Sequence, residues 1–339
     1  MEVVMIRINI PGFYDSDTGG PRWGDAQIID DGKNYDVIDG YCGTGAARLI
    51  KRLKTLEVRS PYLHISHAHY DHYNGIERII EDNYFKPKAL YCYDPATLNS
   101  GFSKDCAENV SALNRIIKKA RAKYIDVIFV DNGDRIVHGD IDIMVYRHQP
   151  KTAENTDSYI NDGSLCYWFP KLKYLTTGDA GFECANRYNL HPVVIKGGHH
   201  GNRIDGLNLK PSQMAPWLKE RGCLYYWDND YSARLNDFLM TGRDDAINAG
   251  MEILDCHGDI NMIFYGGIGV IYKRTEHWSF KCDYRGGVDL KNADLAVVKS
   301  VIRGTFGTMD ARITNLLDMG YKPANVQTAV NDLYKLIKG

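Results

Sequence analysis

Between Leu63 and Gly75 the chain reads LHISHAHYDHYNG, with histidines at 64, 67, 69 and 72 and Asp71 directly before the last of them. Neutral imidazole and carboxylate are the usual donors to zinc and similar cations. A lone histidine inside a strand is more often a satisfied polar residue than a ligand, and His64, within the run YLHIS, reads that way. The other four donors are packed as H-x-H-x-D-H. His67 and His69, just past a strand, can both turn toward one point, because the loop that follows frees them from strict alternation. Asp71 and His72 come two and three residues later and can face a second point a few ångström away. The pattern points to metal.

One such run cannot close two metal shells, so further donors are expected at later strand ends. The stretch YLTTGDAG (174–181) places Asp179 after a strand in a glycine-flanked turn, and VVIKGGHHGN (193–202) does the same for His199 and His200. An aspartate in such a turn is by default a turn former. The order of the three features, with ligand run, strand-Asp and strand-His-His, raises all of them together.

The elements that must position these residues alternate. AQIID (26–30) and YDVIDG (35–40) flank the turn DGKN as a hairpin, and GAARLIKRLKTLEV (45–58) follows with apolar residues at helical spacing. YLHIS (62–66) reads as a buried strand, GIERIIEDNYF (75–85) as a helix, and KALYCYD (88–94) as a strand. SALNRIIKKARAKY (111–124) is a third helix running into the strand IDVIFV. From about residue 150 to 288, SLCYWFP, YLTTG, PVVIKGG and NMIFYGGIGVIYK are strand-like and broken by glycine turns. This alternation predicts an α/β layered fold. Residues 294–337 carry helical patterning only, as three short helices with breaks at Gly304, Gly307 and Gly320.

The 339 residues, 44% hydrophobic and 25% charged, fit one large domain and a small one with an ordinary core. A net charge of −2 argues against broad attraction to nucleic acid or anionic membrane. The eight cysteines form no C-x-x-C pair, so reduced, buried thiols are expected and a cysteine zinc site is not. The opening MEVVMIRINIPGFYDSD shows neither a basic n-region nor an apolar h-region, and no apolar run approaches the ~20 residues of a membrane span. A protein made in the cytoplasm without a signal peptide is expected.

The ordered set GDAQIIDDGKNYDVIDG, ISHAHYDHYNGI, TTGDAG and GGHHGN resembles the metallo-β-lactamase superfamily over roughly residues 1–285. Within it, NDGSLCYWF, YLTTGDA and VIKGGHHG look closest to the hydrolase domain of competence DNA-uptake channels. They are also similar to cell-wall phosphorylcholine esterases, which are phosphodiesterases. The resemblance implies a four-layer αβ/βα sandwich over 1–288 with a dinuclear site at one edge. His67 and His69 would hold the first metal, Asp71 and His72 the second, and Asp179 would bridge them. One of His199 and His200 would ligate the second metal while the other meets the substrate. The superfamily usually supplies a third first-site histidine before a G-S strand. Here YINDGSL puts Asn161 or Asp162 in that place, and His148 lies further upstream. An oxygen donor there would admit manganese or iron beside zinc. With two divalent ions bound, Asp71 would orient the attacking hydroxide and whichever of His199 and His200 stays free of metal would protonate the leaving oxygen.

In residues 294–337, Val301-Ile302, Gly304, Phe306-Gly307, Arg312, Gly320-Tyr321, Val326-Gln327 and Val330-Asn331 fall in the order of the CPL-seven cell-wall-binding repeat of phage lysins. That resemblance implies a module over 289–339 that binds muropeptide in peptidoglycan. Together the two halves are expected to make a phosphodiesterase acting on a wall-linked polymer or nucleic acid, at the cell wall after phage-like release. The rival expectations are an intracellular nuclease or cyclic-nucleotide phosphodiesterase, and a non-catalytic wall-binding protein whose metal site is degenerate. A tyrosine-rich stretch, CLYYWDNDY (223–231), would line a groove or, as aromatics at strand spacing more often do, the core.

Overall fold

The structure is a computed structural model. It describes residues 5–12, 24–98, 104–147, 156–180, 187–201, 220–228, 246–247, 249–255, 259–273 and 276–284. The chain divides into two compact units, one of Ile6–Phe264 with Ile268–Asp283 and the other of Met1–Met5, Tyr265–Gly267 and Tyr284–Gly339. The expected helices of 289–339 and His148 lie outside the described residues.

Two mixed sheets build the larger unit. The strands are β1 (Ile6–Ile10), β2 (Gln27–Asp30), β3 (Tyr35–Ile38), β4 (Tyr62–His64), β5 (Ala89–Cys92), β6 (Asp126–Phe129), β7 (Arg135–His138) and β8 (Ile141–Arg147). They continue as β9 (Leu165–Phe169), β10 (Tyr174–Thr176), β11 (Val194–Lys196), β12 (Tyr225–Asp228), β13 (Glu252–Asp255), β14 (Ile260–Tyr265), β15 (Ile268–Lys273) and β16 (Glu276–Lys281). One sheet has nine strands in the order β16-β15-β14-β1-β2-β3-β4-β5-β6; the other has seven, β13-β12-β11-β10-β9-β8-β7. In the first, β1 to β3 run antiparallel and β3 to β6 parallel. In the second, β7 to β10 run antiparallel and β10 to β13 parallel.

Parallel neighbours need crossovers, and helices α1 (Gly43–Thr55), α2 (Tyr70–Glu81) and α3 (Lys104–Ala122) supply them between β3, β4, β5 and β6. Each is amphipathic. In α1 the residues Ala46, Leu49 and Leu53 form the buried stripe, and in α2 Ile76, Ile79 and Ile80 do. Beneath them β5, parallel to both its neighbours, is buried throughout, as a parallel strand covered on both faces must be. Between the sheets runs a buried polar chain. The Trp227 indole donates to the Tyr174 hydroxyl (3.1 Å), that hydroxyl donates to Gln27 Oε1 (2.5 Å), and Gln27 Nε2 donates to Thr176 Oγ1 (2.9 Å). The result is the two-sheet α/β sandwich expected from the sequence.

The hairpin around DGKN forms as β2 and β3, and Gly266 and Gly267, both at positive φ, make the turn between β14 and β15. Aromatic residues of the 223–231 stretch go to the core, since Tyr226 and Trp227 are buried. Helix boundaries differ: α3, expected over 111–124, spans Lys104–Ala122, and α2, expected to reach 85, ends at Glu81. The helix expected from Gly75 begins at Tyr70, with His69 as an extended N-cap, so Asp71 and His72 sit on its first turn. The backbone N–H groups of His72 and Tyr73 bond to the His69 carbonyl at 3.0 and 3.2 Å. Asp71 thereby stands where a negative charge is favoured by the helix macrodipole.

Candidate metal centre

Tight backbone contacts bring the donors together. A Cβ on Gly75 would lie 1.8 Å from the Gly40 carbonyl oxygen, so α2 starts in van der Waals contact with the end of β3. Gly24 has φ +106°, and a Cβ there would stand 1.8 Å from the Asp71 carbonyl oxygen. Only glycine permits either approach. The turn that follows β3 carries Asp39 at φ 58° and Tyr41 at φ 55°, two non-glycine residues in the left-handed region. Such conformations cost about 1–3 kcal/mol each and cluster where function holds them.

Asp39 is the anchor. Its Oδ1 accepts from the Ser66 backbone N–H at 2.8 Å, and its Oδ2 accepts from Ser66 Oγ at 2.7 Å and from His72 Nδ1 at 2.9 Å. Ser66 Oγ, its own proton given to Asp39, accepts from His67 Nδ1 at 3.0 Å. These bonds put a proton on Nδ1 of both imidazoles, so that in the neutral form each presents a bare Nε2 inward. A ligating histidine is oriented in this way by a carboxylate on its far nitrogen.

The inward nitrogens converge. His67 Nε2 lies 3.0 Å from His69 Nδ1 and 3.5 Å from Asp179 Oδ2, while His72 Nε2 lies 3.2 Å from Asp179 Oδ1. One carboxylate thus faces two histidines with its two oxygens. His67, His69 and Asp179 each offer a donor atom within 4.8 Å of the others, and so do Asp25, His72 and Asp179. Asp71 Oδ2 stands 3.9 Å from His72 Nε2, and its side chain is the more exposed at 26%. Donors converging in this way could hold a cation, and the 3.5 and 3.9 Å separations exceed ordinary hydrogen-bond lengths.

Electrostatics agrees. Burial, then the neighbouring His72, hold His67 well below the usual imidazole range, so it stays neutral. Burial also opposes charge on His72, but the carboxylates of Asp179, Asp39 and Asp71 outweigh it and raise its pKa well above the ordinary value. The pocket attracts positive charge at His72. Lys196, wholly buried at the end of β11, answers the same field. Burial disfavours its ammonium, yet Asp25 and Asp179 raise its pKa.

Each expected site residue can now be placed. His67, His69, His72 and Asp179 are brought together, and Asp71 lies at their rim. His199 sits half-buried in the 3-10 turn Gly198–Gly201, at φ 48°, while the His200 side chain lies outside the described residues. Asp162, at the end of α4 (Thr156–Asp162), is buried and belongs to neither donor group. Its neighbour Asn161 is wholly buried, and neither atom of its carboxamide has a hydrogen-bond partner among the described residues. The Asn161 carbonyl accepts from Ser164 N–H at 3.1 Å, Ser164 Oγ accepts from Asp179 N–H at 3.3 Å, and Leu165 N–H donates to the Ser66 carbonyl at 2.8 Å. That segment lies against the ligand loops, and an orphaned carboxamide there fits a donor to a cation. The residues present suit a divalent pair. Asp25, Asp39, Ser66 and Lys196 were not expected from the sequence. The GDAQ and VIDG stretches, each an aspartate beside glycine at a strand end, held the signal for the first two.

A second buried group, Asp36, His64 and His138, also offers three donors. Its spacing differs. Asp36 Oδ1 accepts from His64 Nε2 at 2.7 Å and from His138 Nδ1 at 2.8 Å, and His138 Nε2 meets the Tyr91 hydroxyl at 2.9 Å. These are hydrogen-bond lengths. The network ties β3 and β4 of one sheet to β7 of the other; His64, expected as a satisfied polar residue, is bonded through Nε2, while its Nδ1 has no hydrogen-bond partner among the described residues.

No protein-family model matches the chain, and no curated protein matches it in sequence. Solved structures do. The metallo-β-lactamase fold protein YhfI from Bacillus subtilis superposes with a TM-score of 0.50 at 10% identity, covering 77% of this chain and 100% of that one. Igni18, a metallo hydrolase from the archaeon Ignicoccus hospitalis, gives 0.45 at 12% identity over 76% and 98% of the two chains. A diphosphatase of the PhnP family gives 0.45 at 9% over 78% and 98%. At such identity the likeness to YhfI shows the fold alone. The chain has the metallo-β-lactamase fold, and its candidate ligands sit in that fold.

Proposed function

We propose that the chain is a metal-dependent hydrolase that holds two divalent cations, one at His67, His69 and Asp179 and the other at His72, Asp179 and Asp71. The second shell would be completed by His199 or His200. The observation that carries the reading is the Asp179 carboxylate, whose Oδ2 and Oδ1 face His67 and His72 at 3.5 and 3.2 Å. Phosphodiesters are the substrate class, a choice that rests on the sequence resemblance and on the fit of two cations to a transition state rich in negative charge. Zinc is the first choice for both cations, with manganese or iron admitted where Asn161 or Asp162 adds oxygen to the first site.

Once bound, such a pair lowers the pKa of water to near neutrality and offsets charge building on the attacked phosphorus. The chain's own groups do the rest. Asp71, at the rim on the first turn of α2, accepts a hydrogen bond from the attacking water and aims it in line. His199, at positive φ on the turn that follows β11, would give a proton to the departing oxygen. Asp39 and Ser66 keep His67 and His72 in the tautomer that leaves Nε2 bare. Residues 289–339 would hold muropeptide and so bring the site to wall-linked polymers.

Elemental analysis with turnover of bis-(p-nitrophenyl) phosphate tests the catalytic part. About two metals per chain, and hydrolysis lost on Asp71→Ala or Asp179→Ala, is the expected result. One metal or none, with no turnover under any added cation, refutes it. Sedimentation of the full chain with purified peptidoglycan, against a chain ending at 288, tests the wall. If the two behave alike, an intracellular nuclease or cyclic-nucleotide phosphodiesterase becomes the reading.

A further inference from the structure

Of the three groups that qualify as a cation pocket, Asp25, His72 and Asp179, the two carboxylates already face a cation of the protein's own. The Lys196 ammonium is ion-paired with Asp25, donates to the Gly178 carbonyl at 2.5 Å, and stands 3.6 Å from Asp179 Oδ1. That same oxygen is 3.2 Å from His72 Nε2, and Asp25 Oδ2 is 3.9 Å from His72 Nδ1. Lys196, Asp25 and Asp179 are all within 1% of complete burial. Water screens little here, so charges act on one another with far more force than at the surface.

The arrangement is lopsided. The ammonium faces the Asp179 oxygen turned toward His72, while the other oxygen faces His67. Lysine is a compact point charge that carries no acceptor, so it neutralises carboxylates without supplying a ligand. A divalent ion entering beside His72 must share Asp179 with that charge and can draw on Asp25 only by loosening its ion pair. An ion entering between His67 and His69 draws on the other Asp179 oxygen, turned toward His67, and makes no demand on Asp25.

We propose that Lys196 is an internal competitor for the second metal position, holding Asp25 and Asp179 in common with the ion, so that this position binds more weakly and exchanges faster than the first. The inference rests on the dinuclear reading above and adds Asp25 and Lys196 to the groups that set the affinity for a divalent cation. A purely structural lysine makes the opposite prediction, since its removal would disorder the ligands and weaken the metal.

The test is titration of the metal-free full chain with Co²⁺, followed by calorimetry and by the visible absorption of the bound ion. Wild type should show two steps. Lys196→Met, which leaves Asp25 free to ligate, should tighten the second step at least tenfold and leave the first unchanged. Asp25→Asn should weaken the second step at least tenfold. The double variant, which buries no unpaired charge and keeps the test alive if Lys196→Met does not fold, should bind the second ion at least tenfold more tightly than Asp25→Asn. Two wild-type steps with the second unchanged or weakened on loss of Lys196, in either background, overturn the proposal and leave the dinuclear reading standing. Fewer than two wild-type equivalents overturn both.

Discussion

Replacing Asp39 by asparagine changes almost no volume and removes no proposed ligand, yet it should cripple the metal centre. The carboxylate accepts from the Ser66 N–H (2.8 Å), the Ser66 hydroxyl (2.7 Å) and His72 Nδ1 (2.9 Å). Asparagine keeps the first of these bonds through its carbonyl. Its NH₂ group then faces two donors. His72 can relieve the clash only by moving its proton to Nε2, which points that proton at Asp179 and removes the lone pair a cation needs. The hydroxyl of Ser66 must also turn away, and with it goes the acceptor for His67 Nδ1. Two hydrogen bonds to a charged group are lost, each worth about 1.5–3 kcal/mol. Loss of a partner of this kind typically weakens metal binding 10- to 100-fold, or about 1.4–2.8 kcal/mol. Competition between the metal-free protein and a chromophoric chelator for Zn²⁺ measures it, with circular dichroism as the control for folding. Wild-type affinity in a folded Asp39→Asn protein would refute the anchoring argument.

Other consequences follow from neighbouring features. Gly75→Ala would drive a methyl group to 1.8 Å from the Gly40 carbonyl oxygen. The neighbour is backbone and cannot swing aside, so the cost should reach or exceed the ~3 kcal/mol upper end for overpacking, with metal lost as α2 shifts. A urea midpoint equal to wild type would contradict it. Burial opposes ionisation of Asp36, but hydrogen bonds from His138 and His64 hold its pKa below the ordinary 3.8. A depressed carboxylate contributes stability that is present above its unfolded value and is lost as pH falls through the folded one. His138→Phe removes one of those bonds, so the melting temperature of the variant should fall less steeply than wild type below about pH 4. Parallel slopes would dismiss Asp36 as the cause. Stripping metal with a chelator should lower the melting temperature of the wild-type protein and re-addition should restore it, since an ion at 100 times its Kd adds about 2.7 kcal/mol. An unchanged melt in the chelator would show that no ion was stabilising the fold.

How much of this was legible in the sequence follows from the range of each interaction. His67, His69, Asp71 and His72 are neighbours in the chain, so their residue types alone disclosed the chemistry. The hairpin, the parallel strands and the helices announced themselves through local periodicity, which burial on one or two faces imposes. The start of α2 did not, because Tyr70, Asp71 and His72 are indifferent helix formers followed by Gly75, and the contact that fixes them is with Gly24 and Gly40. Asp39 and Asp25 read as ordinary strand-end aspartates, for only the fold brings their oxygens to His72. Lys196 closes the apolar run VVIK and looks like a residue leading out to solvent; its burial depends on a carboxylate from a different sheet.

That last dependence explains where the centre sits. Asp39, His67, His69, Asp71 and His72 follow strands β3 and β4 of the nine-stranded sheet, and Asp25 leads into β2. Asp179 and Lys196 come from β10 and β11 of the seven-stranded sheet. Neither sheet alone can assemble the set. The first would place three imidazoles and three carboxylates without the shared Asp179 between His67 and His72. The second would bury an ammonium beside one carboxylate only. Packing the sheets brings Lys196 to Asp25 and Asp179 to the histidines, so that buried charges on each side meet their partners from the other. The sandwich and its cation pocket therefore form together, and the charge left over after Lys196 has been counted is negative. The divalent pair proposed above would neutralise it, and buried carboxylate at one seam is the charge that such a pair requires.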